Sequence, residues 1–182
     1  EPDDVAIVAS AISRASRMSP ELADAEHAAQ ATLRDSLHTL IRLIERVSPG
    51  MRGSVLLLDG DGVTLHHGAA PRLPRSYCDA IDGASIGPAA GSCGTAAYRR
   101  ERVIVRDIAT DPLWDDYRDL ASTYGLAACW STPIMDRGNV LGTFAMYYTE
   151  PRAPTEADIS LTDTAAMLAG NAIKRARAER GL

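Results

Sequence analysis

The sequence is poor in aromatic side chains. They make up 5% of its 182 residues, with one Phe and two Trp, so any local grouping of them carries weight. Cysteine is equally scarce, at three residues: Cys78, Cys93 and Cys129. An odd, sparse set is not a secreted disulfide framework. No CxxC or Cys/His spacing of a structural zinc site is present. A cytoplasmic location is the expectation. No apolar run approaches the roughly 18 residues of a membrane span, so no membrane partner is expected. Basic excess is missing too. The net charge is −5 and the pI near 5.3, whereas a nucleic-acid-binding surface is usually basic. There is no initiator Met, and Glu1-Pro2-Asp3-Asp4 is acidic, unlike a signal peptide. This start reads as that of a piece excised from a longer polypeptide.

Apolar residues make up 46% of the chain, enough for a core. They concentrate in Leu126–Tyr148, which reads as a β-hairpin. In its second arm Val140, Gly142, Phe144, Met146 and Tyr148 share one face. Leu141, Thr143, Ala145 and Tyr147 share the other. Neither face is polar, so the strand should be central in a sheet and covered on both sides. Arg137-Gly138-Asn139 supplies the reversal, with Gly and Asn suited to positive φ.

Apolar residues at Val5, Val8 and Ile12 predict a first helix over Asp3–Met18. Ser19-Pro20-Glu21 restarts the chain as N-cap, first helical residue and acidic first turn. The second helix should run to Val47, with Leu33, Leu37, Leu40, Ile41 and Ile44 on its apolar face. Ser54–Leu58 and Val63–His67 flank the turn Asp59–Gly62. Leu73–Asp82 and Ser92–Arg100 read as short helices, Gly83–Gly91 as loop, and Val103–Val105 as a strand. Asp107–Trp114 is a capped turn, and Asp115–Tyr124 is helical in pattern. Thr155 caps the last helix, with Asp158 completing a capping box. Leu161, Ala165, Leu168 and Ala172 have coiled-coil-like spacing.

The layout is helix, hairpin, irregular middle, hairpin, helix, an α+β arrangement around an antiparallel sheet. The terminal helices should cover one face and the irregular segment Leu73–Tyr124 the other. A loop-rich cover is where a small-molecule pocket forms.

The middle of the chain resembles the GAF domain, a small-molecule-sensing module of signalling proteins. The residues that carry the likeness are Gly91-Ser92-Cys93-Gly94-Thr95-Ala96, Val103–Ile108, Asp111-Pro112-Leu113-Trp114, Gly125-Leu126, Ser131-Thr132-Pro133-Ile134 and Val140-Leu141-Gly142-Thr143-Phe144. The resemblance implies a roughly six-stranded antiparallel sheet, terminal helices that pair in a homodimer, and a ligand pocket on the opposite face. It spans residues 20–177, leaving 1–19 as a linker helix and 178–182 as the end of a second linker. The long terminal helices look like those of bacterial histidine kinases, diguanylate cyclases and related two-component sensors. They imply an output domain in the same polypeptide.

The specialised branches of the family fit less well. The cyclic-nucleotide binders' NKxxxD-type motif is missing, no cysteine precedes a His as in many bilin binders, and Ser122–Gly125 lacks the His of the haem sensors. The cofactor is therefore unknown. Free methionine-(R)-sulfoxide reductase shares Cys93-Gly94-Thr95-Ala96, but its catalytic cysteine lies in the loop before the central hairpin. Asp107–Gly125 here contains none, so a non-enzymatic role is expected.

These patterns nominate the candidate ligand-binding residues. Gly91, Ser92, Cys93 and Gly94 open a helix whose free amides suit an anionic group. Trp114, Tyr117, Tyr124 and Trp130 form an aromatic group that could stack on a planar ligand. Asp107 ends a strand, where it either binds a ligand donor or caps the adjoining turn. Thr143 lies in the central strand. Of that hairpin's two faces, the one with Trp130 is preferred as ligand-facing. The competing function is a thiol redox sensor centred on Cys93, with Cys78 as a candidate partner. Adjacent strand residues His66 and His67 point to opposite faces and do not form a metal pair.

Overall fold

The computed structural model describes residues 25–181. The helix expected over Asp3–Met18, and the Ser19-Pro20 restart, lie outside the described residues. Helix α1 covers Ala25–Val47, and strands β1 and β2 cover Arg52–Leu58 and Thr64–Ala69. The turn between them is held by Asp61, whose Oδ1 accepts from the amides of Val63 and Thr64, each at 2.9 Å. Helix α2 is Arg75–Ile81. A two-residue strand β3, Ala84–Ser85, interrupts the segment expected to be all loop. Helix α3 is Gly91–Arg99, β4 is Val103–Val105, and a 3-10 turn spans Pro112–Trp114. Helix α4 is Arg118–Thr123. The long hairpin is β5, Ala128–Asp136, with β6, Asn139–Tyr148, and α5 spans Glu156–Gly181.

The six strands form one antiparallel sheet in the order β3-β2-β1-β6-β5-β4. The hairpin's second arm is thus central, as its two apolar faces require. The reversal differs from expectation. Arg137 (φ 50°) and Gly138 (φ 83°) take the positive φ values, and Asn139 already belongs to the strand. Two left-handed residues in a two-residue loop match the right-handed twist of the flanking strands.

One core lies between the sheet and the terminal helices. Leu37, Leu40, Ile41 and Ile44 of α1 meet Leu161, Ala165, Leu168 and Ile173 of α5 over Val55, Trp130, Phe144, Met146 and Tyr148. The coiled-coil-like spacing of α5 is therefore used inside the chain: Leu161, Ala165 and Leu168 are buried against its own sheet and helix. The other core lies under the irregular cover and takes Leu56, Leu65, Cys129, Ala145 and Tyr147 from the sheet. Alternation along β6 assigns these faces correctly from Thr143 to Tyr148. Leu141 departs from it and joins the helix-side core, close to a register shift between Ile134 and Met135 in the facing strand.

Close backbone approach fixes this arrangement. A Cβ on Gly142 would lie 2.1 Å from the carbonyl oxygen of Leu56, so only glycine lets β6 sit against β1 here. Helix α1 is pinned to β1 by Glu45, whose Oε2 accepts from the Gly53 amide at 3.1 Å. The Glu45 side chain is nearly buried, and its Oε1 has no partner. Burial raises its pKa, opposed by the Gly53 amide and by the Arg72 and Arg42 charges. The last helix begins with the expected reciprocal cap: the Asp158 amide donates to Thr155 Oγ1 at 3.1 Å, and the Thr155 amide donates to Asp158 Oδ2 at 2.8 Å.

Two tests probe this packing. Gly142→Ala should lose about 3 kcal/mol in urea unfolding through backbone overpacking. Gly60→Ala, where the added Cβ meets nothing within 4 Å, should change stability by less than about 0.5 kcal/mol. Glu45→Gln keeps the acceptor for Gly53 and removes the buried charge. Because the folded pKa of Glu45 is raised, the wild type loses stability as pH rises from the unfolded value through the folded one. The variant should therefore gain on the wild type at pH 7. The gain should vanish below about pH 3.5, where Glu45 is protonated in both states; a gain that persists there would contradict the assignment.

Candidate ligand pocket

One buried hydroxyl ties the cover to the sheet, alongside the strand pairing of β3 and β4. Ser92, in the first turn of α3, is fully buried. Its Oγ accepts from Trp114 Nε1 at 3.0 Å and donates to the Cys129 carbonyl at 2.8 Å. Gly94 lets this turn come in close, since a Cβ there would lie 2.6 Å from that of Ala90. The Trp114 turn is in turn fixed by Asp111, whose Oδ1 accepts from the Leu113 amide at 2.9 Å. Arg118 clamps it from outside through the Asp111 carbonyl at 2.8 Å and the Asp115 carboxylate at 2.7 Å.

These contacts shape a small, half-open cavity of about 40 Å³ between cover and sheet, room for on the order of one to three waters or a ligand of a few atoms. Gly91, Ser92, Cys93 and Gly94 line one wall, and Trp114 and Tyr117 another. Leu56, Leu65, Tyr77, Ile81 and Tyr147 complete the apolar floor, with Ala84, Ser85 and Ala90 at the side. None of the lining residues is charged. The polar groups among its lining residues include the hydroxyls of Ser85, Ser92, Tyr77, Tyr117 and Tyr147 and the Cys93 thiol; the opening amides of α3 have no intrahelical partners. The rings meet edge to face: Trp114 with Tyr117 at 6.4 Å and with Tyr147 at 6.5 Å, and Tyr77 with Tyr147 at 5.7 Å. The Tyr77 and Tyr147 hydroxyls are 2.9 Å apart. Burial pushes both phenols well above their ordinary pKa, so each remains protonated.

Six of the predicted residues thus come together: Gly91, Ser92, Cys93, Gly94, Trp114 and Tyr117. Four do not line the cavity. Trp130 corrects the preferred orientation of the hairpin. It faces the terminal helices, donates from Nε1 to the Arg152 carbonyl at 2.9 Å, and stacks on Tyr148 with the Arg152 guanidinium 5.5 Å from its ring. The cover-side set is Cys129 and Ser131. Asp107 caps its own turn, accepting from the Ala109 amide at 3.1 Å. Tyr124 packs on Tyr77 and donates its hydroxyl to Ser76 Oγ at 2.7 Å. Thr143 is fully buried beside Leu56 on the cover-side face, and its Oγ1 has no hydrogen-bond partner.

Sequence reasoning misses Tyr77, Tyr147 and Cys129. Alternation places Tyr147 opposite Tyr148, which is the available signal. The neighbour of Cys93 is Cys129 rather than Cys78. Cys93 Sγ accepts from Ser131 Oγ at 3.3 Å. Hydrogen bonding from the Cys129 thiol, the largest influence, and from the Ser131 hydroxyl pulls the Cys93 pKa below the ordinary thiol value despite burial. Burial and the nearby Cys93 push Cys129 well above it. Among the described residues, no group of three or more His, Cys, Asp or Glu could hold a metal ion. No helix among them is long and apolar enough to cross a membrane.

The chain matches known proteins on both sequence and shape. The "Methyl sulfide methyltransferase-associated sensor" of Methanosarcina acetivorans is 39% identical over 156 residues, covering 85% of this chain. The chain spans 16% of that protein's length. The GAF domain of a phosphoenolpyruvate-protein phosphotransferase from Coxiella burnetii superposes with a TM-score of 0.75 at 17% identity, covering 98% of both chains. A free methionine-R-sulfoxide reductase from Neisseria meningitidis, solved with its substrate, gives a TM-score of 0.64 at 14% identity, covering 96% of this chain and 92% of that one. The last two likenesses show the fold alone. The family model of the GAF domain matches residues 28–174, and with the sheet order and two-sided core described above, the chain belongs to the GAF domain family.

Proposed function

We propose that this GAF domain is a sensory module. It binds a small ligand in the cavity between the sheet and the 73–124 cover, and relays occupancy through α1 and α5 to an output domain of the same polypeptide. The observation that carries this is the cavity itself, which brings the first turn of α3 to a wall of aromatic rings. Gly91, Ser92, Cys93, Gly94, Trp114 and Tyr117 are the proposed contacts, joined by Tyr77 and Tyr147. The volume of about 40 Å³ and the absence of charged lining residues favour a ligand of few heavy atoms, neutral or carrying one small anionic group toward α3. The relative named as a sensor supports the sensory reading.

The relay has a physical route. Tyr147 lines the cavity, while its chain neighbours Met146 and Tyr148 pack into the helix-side core. A ligand that displaces Tyr147 therefore shifts residues that α1 and α5 rest on, and its differential affinity for the two packings sets the size of the response. Pairing of two copies through the terminal helices is part of the proposal. Met167, 57% exposed on α5, is the apolar group offered to a partner copy. The sulfoxide reductase reading is set aside because Asp107–Gly125 holds no cysteine.

Native mass spectrometry of protein purified from cells tests the ligand. The wild type should carry a small-molecule adduct. Ala84→Phe, which fills the cavity from its side, should lose the adduct while keeping its circular dichroism spectrum. Bare polypeptide mass for the wild type, with no ligand-induced rise in melting temperature across a small-molecule screen, would count against it. Sedimentation at micromolar concentration should give a dimer that Met167→Glu weakens at least about tenfold, a change of about 1.4 kcal/mol; a monomeric wild type would remove the pairing from the proposal.

A further inference from the structure

Two free thiols lie at the cavity, Cys93 in its wall and Cys129 buried in the core under the cover. We propose that Cys93 and Cys129 form a reversible dithiol–disulfide couple, oxidised by a hydroperoxide small enough to enter the cavity and closing a bond between α3 and β5. This goes beyond the ligand-binding reading and does not depend on it.

Three observations bring the pair together. All three cysteines of the chain are free and buried. Ser92 Oγ donates to the Cys129 carbonyl at 2.8 Å, and Ser131 Oγ donates to Cys93 Sγ at 3.3 Å. Residues 92 and 93 are adjacent in one chain segment, and residues 129 and 131 share one face of β5. The two cysteines are thus laced together by hydrogen bonds on either side. Helix α3 packs directly across β5, and both cysteines belong to the core under the cover.

Access separates their roles. Cys93 lines the cavity and is 8% exposed, whereas Cys129 is fully buried behind it. A cavity of about 40 Å³ admits a molecule the size of hydrogen peroxide. Cys93 is the thiol that meets the oxidant, and Cys129 is the one that resolves it. Their acidities run the same way: the donors around Cys93 favour its thiolate, while burial keeps Cys129 protonated.

The Cys93 thiolate attacks one peroxide oxygen. An S–O bond forms, the O–O bond breaks, and the departing hydroxide leaves as water with the proton released by the thiol. Cys129 sulfur then attacks the Cys93 sulfenic sulfur. The S–S bond forms, the S–O bond breaks, and a second water leaves with the Cys129 proton. Two thiols are oxidised and one peroxide is reduced.

The test uses the reduced full chain, treated at pH 7 with stoichiometric hydrogen peroxide and digested without reductant. The expected result is a loss of two hydrogens from the intact mass, a linked peptide pair containing Cys93 and Cys129, and reversal by dithiothreitol. Cys78→Ser should leave the linkage unchanged, and Cys129→Ser should replace it with an oxygen adduct on Cys93. The wild-type peptide map decides the matter even if a variant fails to fold. A linkage through Cys78, oxygen adducts on the wild type without any cross-link, or no mass change before the protein unfolds would each overturn the proposal.

Discussion

The Ser92 hydroxyl is the point on which the cover depends. Lying in the first turn of α3, it bonds both the Trp114 turn and the β5 backbone at once. The Trp114 indole is buried, so its N–H would be left unsatisfied without it, and such a group costs about 1–3 kcal/mol. Alanine at this position would orphan the Trp114 N–H and remove a donor from the Cys129 carbonyl. The long excursion from Leu73 to Tyr124 is held by the pairing of β3 and β4 with the sheet and by its aromatic anchor, which is bonded to the sheet through a side chain. The cavity is the space left between that anchor, the α3 turn and Tyr147.

The sheet separates two environments that differ in kind. On the helix side, aliphatic residues pack with Phe144, Met146, Trp130 and Tyr148 in a mainly apolar core, with Glu45 as its buried charge. On the cover side, thiols, hydroxyls and phenols are mixed among the apolar groups, and the unpartnered Thr143 hydroxyl lies there as well. Buried polar groups of this type are usually paired, so their concentration on one face marks that face as the chemically adaptable one. Alternation along β6 makes each successive residue a neighbour of one environment or the other, which is how a change on one side reaches the other.

Much of this is legible in the sequence because it rests on local rules. The short helices, the Thr155–Asp158 cap, the Asp61 turn and the two-faced hairpin come from periodicity and capping chemistry, and the structure has them all. The features that escape depend on contacts between distant residues. Trp130 groups with the cover aromatics by residue type, yet period-2 geometry fixes only that it opposes Cys129, not which side the cover takes. Its destination is set by Arg152, whose carbonyl accepts from the indole and whose guanidinium lies 4.5 Å from the Tyr148 ring. Cys129 escapes for a similar reason: its relation to Cys93 arises from packing α3 across β5, which no spacing in the chain records. The α5 stripe reads as a surface for another helix, and α1 of the same chain supplies that helix.

The two tryptophans end up on opposite faces of one sheet. Trp114 is buried in the cover and bonded to a hydroxyl, while Trp130 lies under an arginine among the terminal helices. With two in the whole chain, the molecule carries a separate intrinsic fluorophore for each side of its sheet. A guanidinium over one indole and a neutral hydroxyl beside the other give them different quenchers and different emission environments. Single-tryptophan versions would therefore separate in time the first event at the cavity from the later response of the helices, with no label added to either.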